Sequence, residues 1–384
     1  MLKTIDLFSG VGGITLALKG IAHPVAYCDV DPVARECIEF NIRRRRLPKA
    51  PIHPDIKTFT KVPKADMVVG GFPCVGFSGR GKLEGFEHEG SGLFYEILRI
   101  VDGSKARAVF LENVPGVMRE SASIIHELSV KRKFELRWEF DSSHDIGAPH
   151  KRVRWFCLCV KKGSKLETTV TTTKAGGYAP YDWSGKGPSR TCSRSTDRDG
   201  CIRSMKRWGL MGNSVVPDAV RLAFLRLFSG GAVPDLHTAG RLRYSNDLAS
   251  GPESTGAASR IGIFCVESGK KSVRKVRAAT DVAKNGKELS IVLDPKTRAP
   301  PKKASPNQVH PSMTAPVRLG IWATPAHSQA HSQRVMTLRS IQSLPTQIRF
   351  ERGTKNREGV LAPMFTEWMM GYPLGFTDAR GDKC

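Results

Sequence analysis

A thiol at Cys74 is set in Gly70-Gly71-Phe72-Pro73-Cys74-Val75-Gly76-Phe77-Ser78, directly after the apolar run Ala65-Asp66-Met67-Val68-Val69. That run is predicted as a buried strand, which places Cys74 just past a strand end. In an open α/β sheet this edge is where ligands bind. The glycines let the backbone turn sharply and approach a substrate, and proline fixes φ one residue before the thiol. Alone, such a cysteine is more often a small buried apolar group than a nucleophile.

Its company favours chemistry. Phe110-Leu111-Glu112-Asn113 ends another apolar run on an acid and an amide. His150-Lys151-Arg152-Val153-Arg154 opens a third, and arginines two residues apart on a strand project to one face. Two guanidinium groups side by side fit a phosphate or a base edge. The first run, Leu2 to Phe8, leads into Phe8-Ser9-Gly10-Val11-Gly12-Gly13 and then a short helix over Ile14 to Lys19. A strand, a glycine turn and a helix start make a cradle for the polar groups of a ligand.

A second strand, Pro24 to Cys28, precedes Asp29 and Val30, and Asp31-Pro32 then opens a helix with an N-cap acid and proline at its first position. Since Asp31 fills the cap, Asp29 is left at a strand end, where a nucleotide-like ribose is gripped. The four arginines from Arg43 to Arg46 suit the C-terminal dipole of that helix as a solvated end. A helix over Leu93 to Val101 and strands over Phe134 to Phe140 and Val153 to Val160 complete the first 160 residues. Residues 161 to 207 lose periodicity and read as a loop or linker. A further helix then runs through Phe228, with Val220, Ala223, Phe224 and Leu227 as its apolar stripe.

The chain has 384 residues and carries 60 Lys and Arg against 36 Asp and Glu, a formal charge of +24. That length is long for one domain and comfortable for two. So large a positive excess favours a polyanionic partner, nucleic acid above all. The nine cysteines lack paired zinc spacing, so no metal is expected and reduced intracellular thiols fit best. Asp6 interrupts any secretion signal and no run reaches membrane-spanning length, which predicts a soluble, intracellular protein without a membrane partner.

In the order Phe8 to Gly13, Pro73-Cys74, Glu112-Asn113-Val114 and Arg152-x-Arg154, these blocks resemble the DNA cytosine-5 methyltransferase family. The resemblance implies an α/β, Rossmann-like core with a mixed, mostly parallel sheet and a smaller, irregular β-rich target recognition domain. It implies S-adenosyl-L-methionine as cofactor and double-stranded DNA as partner, with no obligate protein partner. Cys74 is then the nucleophile, and Glu112, Asn113, Arg152 and Arg154 share its catalytic site. The cofactor set is Phe8, Ser9, Gly10, Gly12, Asp29, Val30, Asp55, Ile56, Pro73, Leu93 and Asn213-Ser214-Val215. The glycine-rich stretch after Cys74 corresponds to a loop closing over DNA, with Ser78, Arg80 and Lys82 meeting phosphates. His150 stands where the family usually has Gln.

Gly212-Asn213-Ser214-Val215-Val216 matches the last family block, and Leu361-x-Pro363 through Gly371-Tyr372-Pro373 the penultimate one, so the two stand in reverse order. That layout resembles phage and viral members of the family. The expected divisions are a catalytic core over 1–165, a linker over 166–207, a core-completing motif over 208–229, a recognition domain over 230–360, and a joining motif over 361–384. Short β-like runs at Ile261 to Val266 and Leu289 to Leu293 fall in the recognition domain. Every cofactor position precedes Phe228, so sequence order predicts a cofactor pocket that survives loss of everything after Ser229.

The implied chemistry is specific. Cytosine C5 is too weak a nucleophile to take a methyl group directly, and thiolate addition at C6 activates it, with Glu112 in its protonated form at N3. The base has to leave the helical stack to be reached. Two other readings remain: a catalytically silent DNA-binding member, and a tRNA cytosine-5 methyltransferase, which lacks so long a recognition insert.

Overall fold

The computed structural model describes residues 1–73, 92–164, 166, 178–192, 198–229, 262–267, 270–275 and 360–379. The elements follow the apolar periodicity. Strands β1 (Leu2–Leu7), β2 (Ala22–Cys28), β3 (Ile52–His53), β4 (Met67–Gly70) and β5 (Ala108–Asn113) come first, then β6 (Phe134–Ser142) and β7 (Val153–Lys161). Helices α1 (Gly13–Ala17) and α2 (Pro32–Arg43) flank β2, and α3 (Phe94–Ser104) and α4 (Ser121–Ile125) flank β5.

These strands lie in one sheet ordered β3-β2-β1-β4-β5-β7-β6. Pairings from β3 to β5 are parallel, and β7 sits antiparallel between β5 and β6. β1 is the switch point, with β2 on one side and β4 on the other. Register puts Cys28 and Gly70 beside Leu7, and Leu111 beside Gly70. Phe8, Asp29, Gly71 and Glu112 therefore emerge along one edge, the ligand edge of such a sheet.

Both faces are covered. One core gathers Phe110, Phe156 and Leu158 under α1, α2 and a later helix; the other gathers Val68, Val109 and Cys157 under α3 and α4. Cys28, Cys37, Cys157 and Cys159 are buried free thiols. Among the described residues no helix is long and apolar enough to cross a membrane.

After β7 the chain departs from expectation. Strand β8 (Thr191–Cys192) and helix α5 (Arg198–Asn213) occupy the end of the expected linker. Its three glycines and several charges weaken the helical signal that Met205, Trp208 and Met211 would otherwise give. Tyr178 and Tyr181 are also tied down, through hydroxyl and backbone N–H to the Asp218 carboxylate. α6 (Pro217–Phe228) buries the predicted stripe in full.

Strands β9 (Gly262–Glu267) and β10 (Lys270–Lys275) form a hairpin whose first strand pairs with β6, so the predicted run at Ile261 to Val266 extends the core sheet. Leu289 to Leu293 lie outside the described residues. Finally β11 (Val360–Leu361) pairs with β8 and leads into α7 (Pro363–Met369).

Candidate active site

Glu112 is the second-last residue of β5 and only 8% exposed. Arg154 of β7 reaches it with Nε 3.0 Å from the carboxylate. Register explains the approach, since Glu112 opposes Phe156 and Arg154 lies two residues along. A Cβ on Gly71 would come within 2.7 Å of the same carboxylate, so glycine lets the backbone leaving β4 pass close to Glu112 without displacing it. Asn113 then donates to the Phe72 carbonyl at 3.2 Å, and its own oxygen accepts from Val114 N at 2.8 Å. The amide thereby fixes the segment that delivers Pro73. Cys74, Ser78, Arg80 and Lys82 lie outside the described residues.

The expected pair of arginines divides its work. Arg154 holds Glu112, whereas Arg152, buried at 5%, donates to the carbonyls of Gly212 and Ser214. Arg152 thus braces the turn between α5 and α6 rather than standing beside Arg154 to meet an anion. His150 is fully buried, and neither ring nitrogen has a hydrogen-bond partner among the described residues. Burial first, then the positive charges of Arg152 and Arg154, pushes its pKa down to about 3, so the ring is neutral.

The cofactor candidates cluster at the ends of β1 and β2. Phe8 takes φ +52°, a left-handed conformation that is strained for an aromatic residue and typical of functional turns. Gly10 faces open space, with nothing within 4 Å of an added Cβ. Asp29 accepts Gly10 N at 2.7 Å and Asp31 N at 2.9 Å, so it is not free as expected. Its carboxylate retains further lone pairs, and burial raises its pKa. Val30 is 71% exposed and Asn213 also faces solvent.

Others are structural as placed. The Ser9 hydroxyl donates to the Asp6 carbonyl at 2.7 Å and accepts from Cys28 N, stitching β1 to β2. Asp55 caps the short turn that follows it, with Lys57 N at 2.9 Å. Ile56 is buried, while Leu93 and Pro73 are half-buried. Ser214 and Val215 are buried in the turn that Arg152 braces, and Gly12 is left-handed at the start of α1.

Two features escaped the sequence reading. Asp6 is fully buried beneath the glycine loop; one oxygen accepts the Thr15 hydroxyl at 2.6 Å, and the other has no partner among the described residues. Burial, opposed by the Thr15 bond, raises its pKa to about 7. The second feature is the seating of the C-terminal block. Met370, Tyr372 and Phe376 belong to the core that holds α1 and α2. The Phe376 carbonyl accepts Asn41 Nδ2 at 2.8 Å. Buried Glu367 accepts from Gly375 N, Thr377 N and Arg207. A pocket independent of this block is therefore not what the fold provides. Leu361 to Pro373 carry conspicuous apolar residues, yet nothing in their spacing says which half of the chain they cover.

A mixed sheet whose first seven strands include a reversed β7, with helices on both faces and a glycine loop after β1, defines the methyltransferase class of α/β fold. Residues 2–187 match the family model of C-5 cytosine-specific DNA methylases. The type II methyltransferase M.CviJI of Paramecium bursaria Chlorella virus IL3A is 29% identical over 96% of this chain and 96% of its own length. M.HhaI of Haemophilus parahaemolyticus is 33% identical over 43% of this chain and 51% of its own. M.MspI of Moraxella sp is 33% identical over 41% and 38%. The chain therefore spans nearly the whole of a viral relative but about half of one bacterial relative and less of the other, in keeping with the virus-like block order read from the sequence.

Proposed function

We propose that this protein transfers a methyl group from S-adenosyl-L-methionine to C5 of cytosine in duplex DNA, with the target base flipped out of the helix. The observation that carries the reading is the buried Glu112–Arg154 pair beside the Asn113–Phe72 clamp, which puts a carboxyl group at the exit of the strand that delivers Pro73-Cys74. Cys74 Sγ adds to C6 of the flipped cytosine, forming a sulfur–carbon bond. Glu112 contacts N3, and electron density moves to C5. Arg154 orients Glu112, and Asn113 keeps the Phe72-Pro73 backbone at a fixed height above β5. After transfer, the C5 proton leaves to a base and the sulfur–carbon bond breaks.

The cofactor would be held by the Phe8 to Gly12 loop, by the remaining lone pairs of Asp29, and by the exposed Val30 and Asn213. The open space at Gly10 and the strained Phe8 fit such a ligand. When bound, S-adenosyl-L-methionine supplies an electrophilic methyl group on a sulfonium centre. The excess of Lys and Arg serves the DNA backbone, with Ser78, Arg80 and Lys82 among its contacts. The recognition region over 230–360 selects the sequence.

Bisulfite sequencing of DNA from cells expressing the chain tests this directly. Wild type is expected to protect cytosines at a recurring sequence, and Cys74→Ser to protect none. Protection that persists in Cys74→Ser overturns the assignment of the nucleophile.

A further inference from the structure

Tyr372 has no part in the reaction as described, yet it occupies a position between the two loops assigned to the cofactor. Its side chain is fully buried. The hydroxyl donates to the Val215 carbonyl at 2.9 Å, across 157 residues of sequence. The same oxygen lies against Gly13, where an added Cβ would sit 2.2 Å from it. Gly13 opens α1 directly after the glycine loop. One oxygen therefore touches the end of the Phe8 to Gly13 loop and the Asn213 to Val215 turn together.

Where Tyr372 sits is decided elsewhere. Its backbone N–H donates to the Glu367 carbonyl at 2.9 Å, and its ring packs on Phe376 with centroids 5.0 Å apart. The Glu367 carboxylate gathers Gly375 N at 2.7 Å, Thr377 N at 2.8 Å and Arg207 at 3.2 Å. The tyrosine thus enters as a fixed post, and the two loops close on it.

We propose that Tyr372 is a positioning residue for the cofactor: its hydroxyl sets the separation of the glycine loop and the Val215 turn, and so sets the affinity for S-adenosyl-L-methionine. This rests on the cofactor reading given above. Without the hydroxyl, the Val215 carbonyl loses a buried donor and Gly13 loses its backstop, so the loops spend part of their time at the wrong spacing. The loss of one buried hydrogen bond corresponds to about a ten-fold weakening.

The test uses the full chain. Tyr372→Phe is expected to raise the calorimetric Kd for S-adenosyl-L-methionine about ten-fold. KM for the cofactor should rise in parallel while kcat at saturation changes by less than about two-fold, as loss of uniform binding requires. Binding to duplex DNA without cofactor should not change. Gly13→Ala, which pushes a methyl group against the same hydroxyl, should weaken the cofactor likewise.

Ser104→Ala is the control, because it removes a buried hydroxyl bonded to the Val101 carbonyl at 3.1 Å within α3, on the opposite face of the sheet from both loops. It should cost stability and leave Kd alone. Hydrogen exchange should quicken at the amides of residues 9–15 and 214–216 in Tyr372→Phe only. A Kd for Tyr372→Phe within about two-fold of wild type, or equal loosening of the loops in the Ser104 control, overturns the proposal. If wild type itself fails to bind S-adenosyl-L-methionine, the cofactor reading falls, and the exchange comparison alone decides whether Tyr372 positions the two loops.

Discussion

Truncation after Ser229 is expected to abolish folding of the catalytic half. The cut removes Phe365, Met369, Met370, Tyr372 and Phe376, none more than 2% exposed. The departing block takes its own burial and its own ordering entropy with it, and these roughly cancel. What the fragment has to bear is the wall those side chains covered. Burying five large apolar side chains is worth about 8–15 kcal/mol at roughly 1.5–3 kcal/mol each, and the facing core loses a similar area to water. Area bookkeeping of this kind is an upper figure, but whole-domain stability is only about 5–15 kcal/mol. Asn41, Arg207 and the Val215 carbonyl would lose buried partners besides. Residues 1–229 should therefore show no cooperative thermal transition by circular dichroism and should elute as aggregate in gel filtration. A monomeric fragment that melts cooperatively and binds S-adenosyl-L-methionine with full-chain affinity would refute the reasoning.

Glu112→Gln should lower the single-turnover methylation rate by about two orders of magnitude, the usual scale for an acid–base group, while the thermal midpoint moves little; an unchanged rate would remove Glu112 from the reaction. Asp6 makes stability depend on pH in the sense opposite to most carboxylates. Its folded pKa, about 7, lies above the ordinary 3.8, so the native state holds the proton more tightly and stability falls as pH rises through that window. Unfolding free energies from urea titrations between pH 4 and 7 should decline in wild type by an amount reaching at most about 4 kcal/mol, and Asp6→Asn should flatten the slope. A mutant with the wild-type slope would show that Asp6 ionises freely.

The ligand edge was legible because its chemistry is local. Gly71, Pro73, Glu112 and Asn113 lie within two or three residues of a strand end, and strands announce themselves by apolar runs. The helix at Pro32 was equally legible, since Asp31 accepts Val33 N as an N-cap should. Arg152 and Arg154 show where spacing stops informing: two residues apart fixes a common face of the strand, but the partners, a pair of carbonyls and a carboxylate, come from other elements. α5 was hidden by glycines and charges whose helical preference is weak. The C-terminal block was read as a motif joining two domains because its contacts with α2 span more than three hundred residues, and no periodicity encodes a partner so remote.

That span has a kinetic consequence. Asn41 waits for a partner made 335 residues later. At a synthesis rate of about 5–20 residues per second, the interval is about 20 seconds to a minute. For that time α1 and α2 have been made while the apolar wall that Phe376 and Tyr372 will close stands open. Long loop closures slow folding and lengthen exposure of sticky surface. The chain is thus a candidate for chaperone capture during its own translation, and slower translation of the stretch between these sites would prolong the vulnerable interval.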